Sequence, residues 1–353
     1  MAYTTIDNPE LYFQNKIYSG NGSTQSITFD GSENMQPDWV WIRCRSDADS
    51  SSICDSIRGA NKHLRSDSDA AETTSGTVQL SSFDSNGFSL GSGDGQTNGS
   101  GRTYASWSWK AGTAFSNDAG ANGASLASSG SKNDTAGFSI VSYTGDESGN
   151  DTIFHGLSQT PELIFTKPRA TVDNWGVFHT AFSSQQYLFL NSNGTVASAS
   201  SMFNALPGST VFTVGDNAAV NDNGTMIAYC FHSVKGYSKF GKYVGNGSSD
   251  GPVIFTGFRP AYVFYKNLTT ADNFFQHDNR RQGFNDQNEL LFVDITQAES
   301  TVDRINILSN GFKAIDSDKG VNKSGDTYIY WAIADAPQVN SKGVPATARG
   351  KSV

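Results

Sequence analysis

Apolar residues along this chain gather in runs of five to eight, rich in aromatic and β-branched types and separated by polar, glycine-bearing stretches. That spacing predicts strands. Three runs, Trp39-Val-Trp-Ile42, Tyr262-Val-Phe-Tyr265 and Tyr328-Ile-Tyr-Trp-Ala-Ile333, do not alternate with polar residues and predict strands buried on both faces. Between the runs lie eight Asn-Gly pairs, beginning at Asn21, Asn86, Asn98, Asn122, Asn193, Asn223, Asn246 and Asn310. Asn-Gly tolerates the positive φ angles of type I′ hairpin turns, so the pairs predict tight reversals. Only short segments such as Gln297-Ala-Glu-Ser-Thr-Val-Asp-Arg304 carry a helical pattern.

The pattern occurs three times. Tyr18-Ser-Gly-Asn-Gly-Ser23 returns as Tyr143-Thr-Gly-Asp-Glu-Ser148 and Tyr243-Val-Gly-Asn-Gly-Ser248. Pro37-Asp-Trp-Val-Trp-Ile-Arg43 returns as Pro161-Glu-Leu-Ile-Phe-Thr-Lys167 and Pro260-Ala-Tyr-Val-Phe-Tyr-Lys266, each a proline opening an apolar run that ends on a base. A turn and strand follow as Ser85-Asn-Gly-Phe-Ser-Leu90, Ser209-Thr-Val-Phe-Thr-Val214 and Ser309-Asn-Gly-Phe-Lys-Ala314. Each copy closes on Gly101-Arg-Thr-Tyr-Ala-Ser-Trp107, Gly224-Thr-Met-Ile-Ala-Tyr229 or Gly325-Asp-Thr-Tyr-Ile-Tyr-Trp331. Four landmarks in one order define an internal repeat.

The expected fold class is all-β: three tandem antiparallel β-sandwich or jelly-roll-like repeats of about 95 residues. A single threefold barrel or propeller is the alternative, but propeller blades are only about 40–50 residues long. The divisions are an N-terminal arm (1–16), repeat 1 (17–110), a linker (111–137), repeat 2 (138–236), repeat 3 (237–336) and a C-terminal tail (337–353). The linker is almost wholly Ala, Gly, Ser, Asn and Asp, which predicts a flexible spacer. Repeats 2 and 3 have no such spacer, so they are expected to form a rigid pair with repeat 1 hinged.

Composition narrows the function classes. Hydrophobic residues make up 37% and aromatics 12%, enough for a core and contrary to a disordered chain. A net charge of −9 excludes the basic footprint of a nucleic-acid binder. The start of the chain has neither the basic nor the apolar region of a secretory signal, and no run reaches the roughly 18 apolar residues of a membrane helix. Cys44, Cys54 and Cys230 have no zinc spacing and are expected as free, buried thiols, with a Cys44–Cys54 pair across a hairpin as the alternative.

Candidate chemistry is sparse. The five histidines, His63, His155, His179, His232 and His277, are dispersed and form no metal-ligand motif. Glycosidases need two carboxylates flanking one bond, whereas acids here stand alone in strands or gather in turns such as Asp67-Ser-Asp69 and Asp316-Ser-Asp318. Those turns read as Asx turns with a weak calcium alternative. No catalytic residue, metal or cofactor is expected. One cluster follows each proline strand: Asp55 and Arg58 in repeat 1, Asp173, Trp175 and His179 in repeat 2, and Asp272, Phe274, Asp278, Arg280 and Arg281 in repeat 3. Acid with arginine pins loops through charge-assisted hydrogen bonds, and arginine with aromatics also serves saccharide or protein recognition. Recurrence within one chain favours the structural role.

Together the Tyr-x-Gly-Asn-Gly-Ser, Pro-x-aromatic-Val and Gly-x-Thr-Tyr-x-x-Trp elements resemble a family of virion proteins from tailed phages, chiefly marine ones. Tyr3-Thr-Thr-Ile-Asp-Asn-Pro9, Gln36-Pro-Asp-Trp-Val-Trp-Ile42, Tyr237-Ser-Lys-Phe-Gly241 and Gly257-Phe-Arg-Pro260 also look like that family. The resemblance implies a non-enzymatic component of the particle exterior, assembled in the host cytoplasm. Its expected partners are other virion proteins, further copies of itself, and a host receptor or glycan. A tail fibre or appendage is the first reading; capsid decoration is the second, and a glycan-binding module or glycanase the third. Repeat 2 departs most, with Asp146-Glu147 for Asn-Gly and Tyr229-Cys230 at its close.

Overall fold

The computed structural model describes residues 5–74, 79–281 and 287–336. The expected C-terminal tail (337–353) and the first four residues of the N-terminal arm lie outside them. Unit 1 contains β1 (Phe13–Ser19), β2 (Gln25–Thr28), β3 (Trp39–Cys44), β4 (Ser52–Asp55), β5 (Lys62–His63), β6 (Thr73–Thr74), β7 (Leu80–Asp84), β8 (Gly87–Leu90) and β9 (Thr103–Trp109). Next come β10 (Thr113–Asn117) and β11 (Ser128–Asn133). Unit 2 has β12 (Phe138–Thr144), β13 (Asp151–Phe154), β14 (Leu163–Pro168), β15 (Gly176–His179), β16 (Gln186–Phe189), β17 (Ala197–Ser198), β18 (Val211–Val214), one helical turn α1 (Ala218–Asn221) and β19 (Thr225–Phe231). Unit 3 has β20 (Ser238–Val244), β21 (Val253–Phe255), β22 (Pro260–Asn267), β23 (Phe274–Asp278), β24 (Gln287–Phe292), β25 (Ser300–Leu308), β26 (Gly311–Ala314) and β27 (Thr327–Ala334). The segment with a helical pattern at 297–304 forms no helix, and its residues 300–304 instead begin β25, whose Ile305 and Ile307 face the core. Burial on an alternating face overrode local propensity there.

The fold is all-β and its named strand pairs are antiparallel, with the same plan in each unit. The principal sheets run β1-β9-β3-β4, β12-β19-β14-β15 and β20-β27-β22-β23. A second layer is built on β2-β8-β7, β13-β18 or β21-β26-β25; in unit 3 the two layers join into one nearly closed eight-stranded sheet.

Strand alternation sorts the doubly buried runs into two cores. Val40, Ile42 and Cys44 point into the sandwich of unit 1, whereas Trp39 and Trp41 point out of it. In unit 3, Val263 and Tyr265 line the private core while Tyr262 and Phe264 leave it. The outward sets from all three units meet in one shared core. Trp39 lies 4.5 Å from Trp109 and 4.8 Å from Tyr229, centroid to centroid, while Trp331 lies 5.1 Å from Trp109 and 4.6 Å from Phe231. The closing residues Trp107, Tyr229 and Trp331 hold equivalent positions, opposite Trp41, Phe165 and Phe264. Three sandwiches therefore surround a pseudo-threefold axis of aromatic side chains.

The Tyr-x-Gly motif is a loop lock used three times. The hydroxyls of Tyr18, Tyr143 and Tyr243 donate to the carbonyls of Thr97, Val220 and Val321 at 2.7, 2.5 and 2.8 Å. Fully buried Asn98, Asn221 and Asn322 accept from the N–H groups of Asn21, Asp146 and Asn246 and donate to the carbonyls of Ser23, Ser148 and Ser248. The motif glycine is needed for close approach: a Cβ on Gly20, Gly145 or Gly245 would sit 2.3 Å from a carbonyl oxygen of the opposing loop. The Asn-Gly pairs mostly do not make type I′ turns, since only Asn122-Gly123 has positive φ at both residues. In Asn98 the side chain is used as a lock instead.

The segment read as a flexible linker is a hairpin. β10 pairs with β11, and β11 adds to β12 from Ser128 opposite Tyr143 to Asn133 opposite Phe138. Its small residues suit this contact, because a Cβ on Gly130 would meet the Ile140 carbonyl at 1.9 Å. Order comes chiefly from backbone pairing with β12, to which Phe115 and Leu126 add a small apolar contact. Unit 1 is also not hinged, since its tryptophans are part of the shared core. Replacing the buried lock with Asn221→Ala is expected to cost about 1–3 kcal/mol, read as a lower urea midpoint; an unchanged midpoint would show the loop independent of that side chain.

Candidate functional site

The clustered acids and arginines lie where one unit meets the next. Pairing places Asp55 opposite Trp39, His179 opposite Leu163 and Asp278 opposite Tyr262, so these three are equivalent. Asp173 and Asp272 belong to a different set, whose unit 1 member is Asp49, each six residues after the strand-ending base. These three carboxylates accept from the next residue's N–H, and Asp49 and Asp272 also present their carbonyls to Arg43 and Lys266.

At the unit 1–2 boundary, Tyr229 donates its hydroxyl to Asp55 at 2.6 Å, and Arg58 forms an ion pair with the same carboxylate. Arg58 also reaches Glu72 at 3.2 Å, and Glu72 takes two hydrogen bonds from Arg169 of unit 2 at 3.0 Å. The unit 3–1 boundary repeats this set. Trp107 donates its indole N–H to Asp278 at 3.1 Å, Arg281 pairs with Asp278 at 2.7 Å and with Glu299 at 2.9 Å, and Arg45 of unit 1 clasps Glu299. Burial opposes the charges of Arg58 and Arg281, but the adjoining carboxylates more than offset it and raise both pKa values.

The unit 2–3 boundary keeps the backbone geometry and replaces the charges. The N–H groups of Glu72, Glu299 and Val196 donate to the carbonyls of Arg169, Arg45 and Leu268. Thus Val196 stands for the glutamates and Leu268 for the receiving arginines, while Phe182 follows His179 at the spacing of Arg58 from Asp55. His179 accepts from the Ala181 N–H at Nδ1 and directs Nε2 to the Tyr330 carbonyl at 3.4 Å, so the neutral imidazole is satisfied at both nitrogens. Burial pushes its pKa down to about 4.

The base ending each proline strand completes the ring. Arg43 donates to the carbonyls of Ile295 and Gln297 in unit 3, Lys167 to Asp69 in unit 1, and Lys266 to Asn193 in unit 2. Burial lowers Lys167 and Lys266 to about 8. Trp175 donates to the Arg65 carbonyl across the 1–2 boundary at 2.8 Å, and Phe274 lies under the Lys266 ammonium. Arg280, at the rim, reaches Asn15 at 3.3 Å and Glu10 at 3.4 Å. Of the predicted cluster, Asp55, Arg58, Trp175, His179, Asp278, Arg280 and Arg281 therefore belong to the inter-unit pins and Asp173 bonds across through its backbone N–H, whereas Asp272 and Phe274 brace Lys266 within unit 3. The sequence reading missed Glu72, Arg169, Arg45 and Glu299; their signal was charge reciprocity between repeats, which no single-repeat motif displays.

The other candidates are committed locally. Asp67 accepts from Ser51, and Asp316 and Asp318 flank Arg304. His63 and His155 are lowered to about 4 and His277 is held well below the usual histidine value, in each case by burial first. No group of three potential metal ligands occurs among the described residues. All three cysteines are free and buried. An open cleft of about 600 Å³ beside β14 is lined by hydroxyl side chains, Glu162 and His232, and the Glu162 carboxylate accepts from the Ser233 N–H.

Two outcomes follow. Asp55→Ala leaves Arg58 buried without its closest partner and is expected to cost about 3–5 kcal/mol in urea unfolding, while exchange of the whole set for apolar residues is far milder. For the histidines, stability is fully present above the unfolded-state value near 6.5 and is lost as pH falls toward about 4. A melting-temperature profile between those limits should be flatter for His179→Gln than for the parent chain.

A family model described as a domain of unknown function (DUF7483) matches residues 8–337. No curated protein and no solved structure matches the chain.

Proposed function

The chain belongs to the DUF7483 family, and from the geometry of its ring we propose that it is a non-enzymatic structural protein of a tailed-phage particle. In this reading it is carried on the tail, in a fibre or appendage that contacts other virion proteins or the host surface. The observation that carries the reading is the use of the buried charges: Asp55, Arg58, Asp278 and Arg281 join unit to unit. A chain that invests its buried ionic groups in rigid assembly of three modules is suited to bearing load and presenting loops.

Internal threefold symmetry also favours a second reading. One such chain matches the end of a trimeric fibre, but it equally matches a local threefold position on a shell, where it would act as a decoration protein. Copy number separates the two. Quantitative mass spectrometry of purified particles should give a copy number set by the tail's rotational symmetry; a number scaling with shell subunits would replace the tail reading with decoration. Absence of the protein from washed particles would overturn both.

A further inference from the structure

Units 2 and 3 offer the same lateral edge, covered in one and, among the described residues, uncovered in the other. Pairing sets Ile140 opposite Tyr229 and Phe240 opposite Trp331, so Ser139 and Ser142 of β12 correspond to Lys239 and Lys242 of β20. Likewise Ile153 faces Phe212 and Ile254 faces Phe312, so Thr152 and Phe154 correspond to Val253 and Phe255. In unit 2 the β10–β11 hairpin covers this edge. β11 pairs with β12, Leu126 bridges to Ile153, and Phe115 meets Phe154 edge to face at 5.8 Å. The Ser128 hydroxyl donates to the Phe154 carbonyl at 2.9 Å.

In unit 3, β20 and β21 are terminal strands among the described residues. Phe255 is 61% exposed, Val253 41% and Val244 57%. The Phe255 carbonyl, counterpart of the one held by Ser128, takes the Lys239 ammonium at 2.6 Å. An edge strand with apolar side chains on its open face is a template for strand addition, and lysines on it select against the wrong strand.

We propose that the β20–β21 edge of unit 3 is a docking site for an extended arm of a partner protein, one that lays an aromatic side chain over Phe255 and sets carboxylates opposite Lys239 and Lys242. The chain's own hairpin is the template for the aromatic contact. It also shows why that hairpin is not the occupant, because Lys132 stands opposite Ser139 and would face Lys239 in unit 3. The inference rests on the edge geometry alone and does not require the phage reading above.

The test uses the full chain and a synthetic peptide of residues 111–133 carrying Ser129→Asp and Lys132→Glu. By fluorescence anisotropy it should bind about ten-fold more tightly than the unaltered peptide, and Phe255→Ser in the protein should weaken it about ten-fold. Phe255 is exposed, so the variant should keep the parent melting temperature. Lys239→Glu with Lys242→Glu should reverse the peptide preference. Equal binding of both peptides, no binding by either, or indifference to Phe255→Ser would overturn the proposal. A chain ending at Ala336 that binds the peptide far better than the full chain would also overturn it, by assigning the edge to the chain's own C-terminal residues.

Discussion

Everything in this molecule follows from the need to bury both faces of one strand in each unit. A strand such as β3 satisfies its own sandwich with Val40, Ile42 and Cys44, which leaves Trp39 and Trp41 on the opposite face. Leaving two indoles in water would forfeit roughly the largest hydrophobic contribution a side chain can make. Three units with the same surplus resolve it together, around one axis. The sandwiches are thus not independent modules on a string; each lacks a complete core until the other two arrive.

Apolar contact alone would bring the units together without fixing their rotation. The pins supply that direction, because a carboxylate, an arginine fork and an indole or phenol donor meet at only one register. Units 1 and 2, and units 2 and 3, are joined covalently, and the 2–3 boundary dispenses with the acid–arginine set. Units 3 and 1 have no peptide link between them, and there Arg45, Glu289, Glu299, Arg281 and Asp278 form an ionic network that matches the one made by Asp55, Arg58, Lys62, Glu72 and Arg169 between units 1 and 2. The non-covalent seam is closed by the same geometry that fixes the covalently joined 1–2 boundary.

Much of this was legible along the chain. The four landmarks located the repeats, and the unbroken apolar runs revealed strands buried twice. The acid–arginine spacing marked the pins, although Asp55 aligned to sight with Asp173 and Asp272 when its structural counterparts are His179 and Asp278. The hairpin at 113–133 was illegible because its order is borrowed from the edge of β12, and composition records only what a segment can bury by itself. Most turns were mislabelled for a related reason. Asn98 sits before glycine, yet its amide serves the loop at Asn21 and Ser23, a long-range use that a dipeptide pattern does not carry.

Ring closure brings the two ends of the described chain to the same seam: Asn279 of unit 3 bonds both Asn15 near the start and Asp335 near the finish. The cut between unit 3 and unit 1 is then one of three corresponding places at which such a ring can be opened, the 2–3 boundary being the one without acid–arginine pins. A gene beginning at unit 2 or unit 3, with a short bridge across the present seam, would encode the same object. So would three separate single-unit chains carrying matched pins. The assembled shape is set by the contacts between units rather than by the order in which the chain visits them.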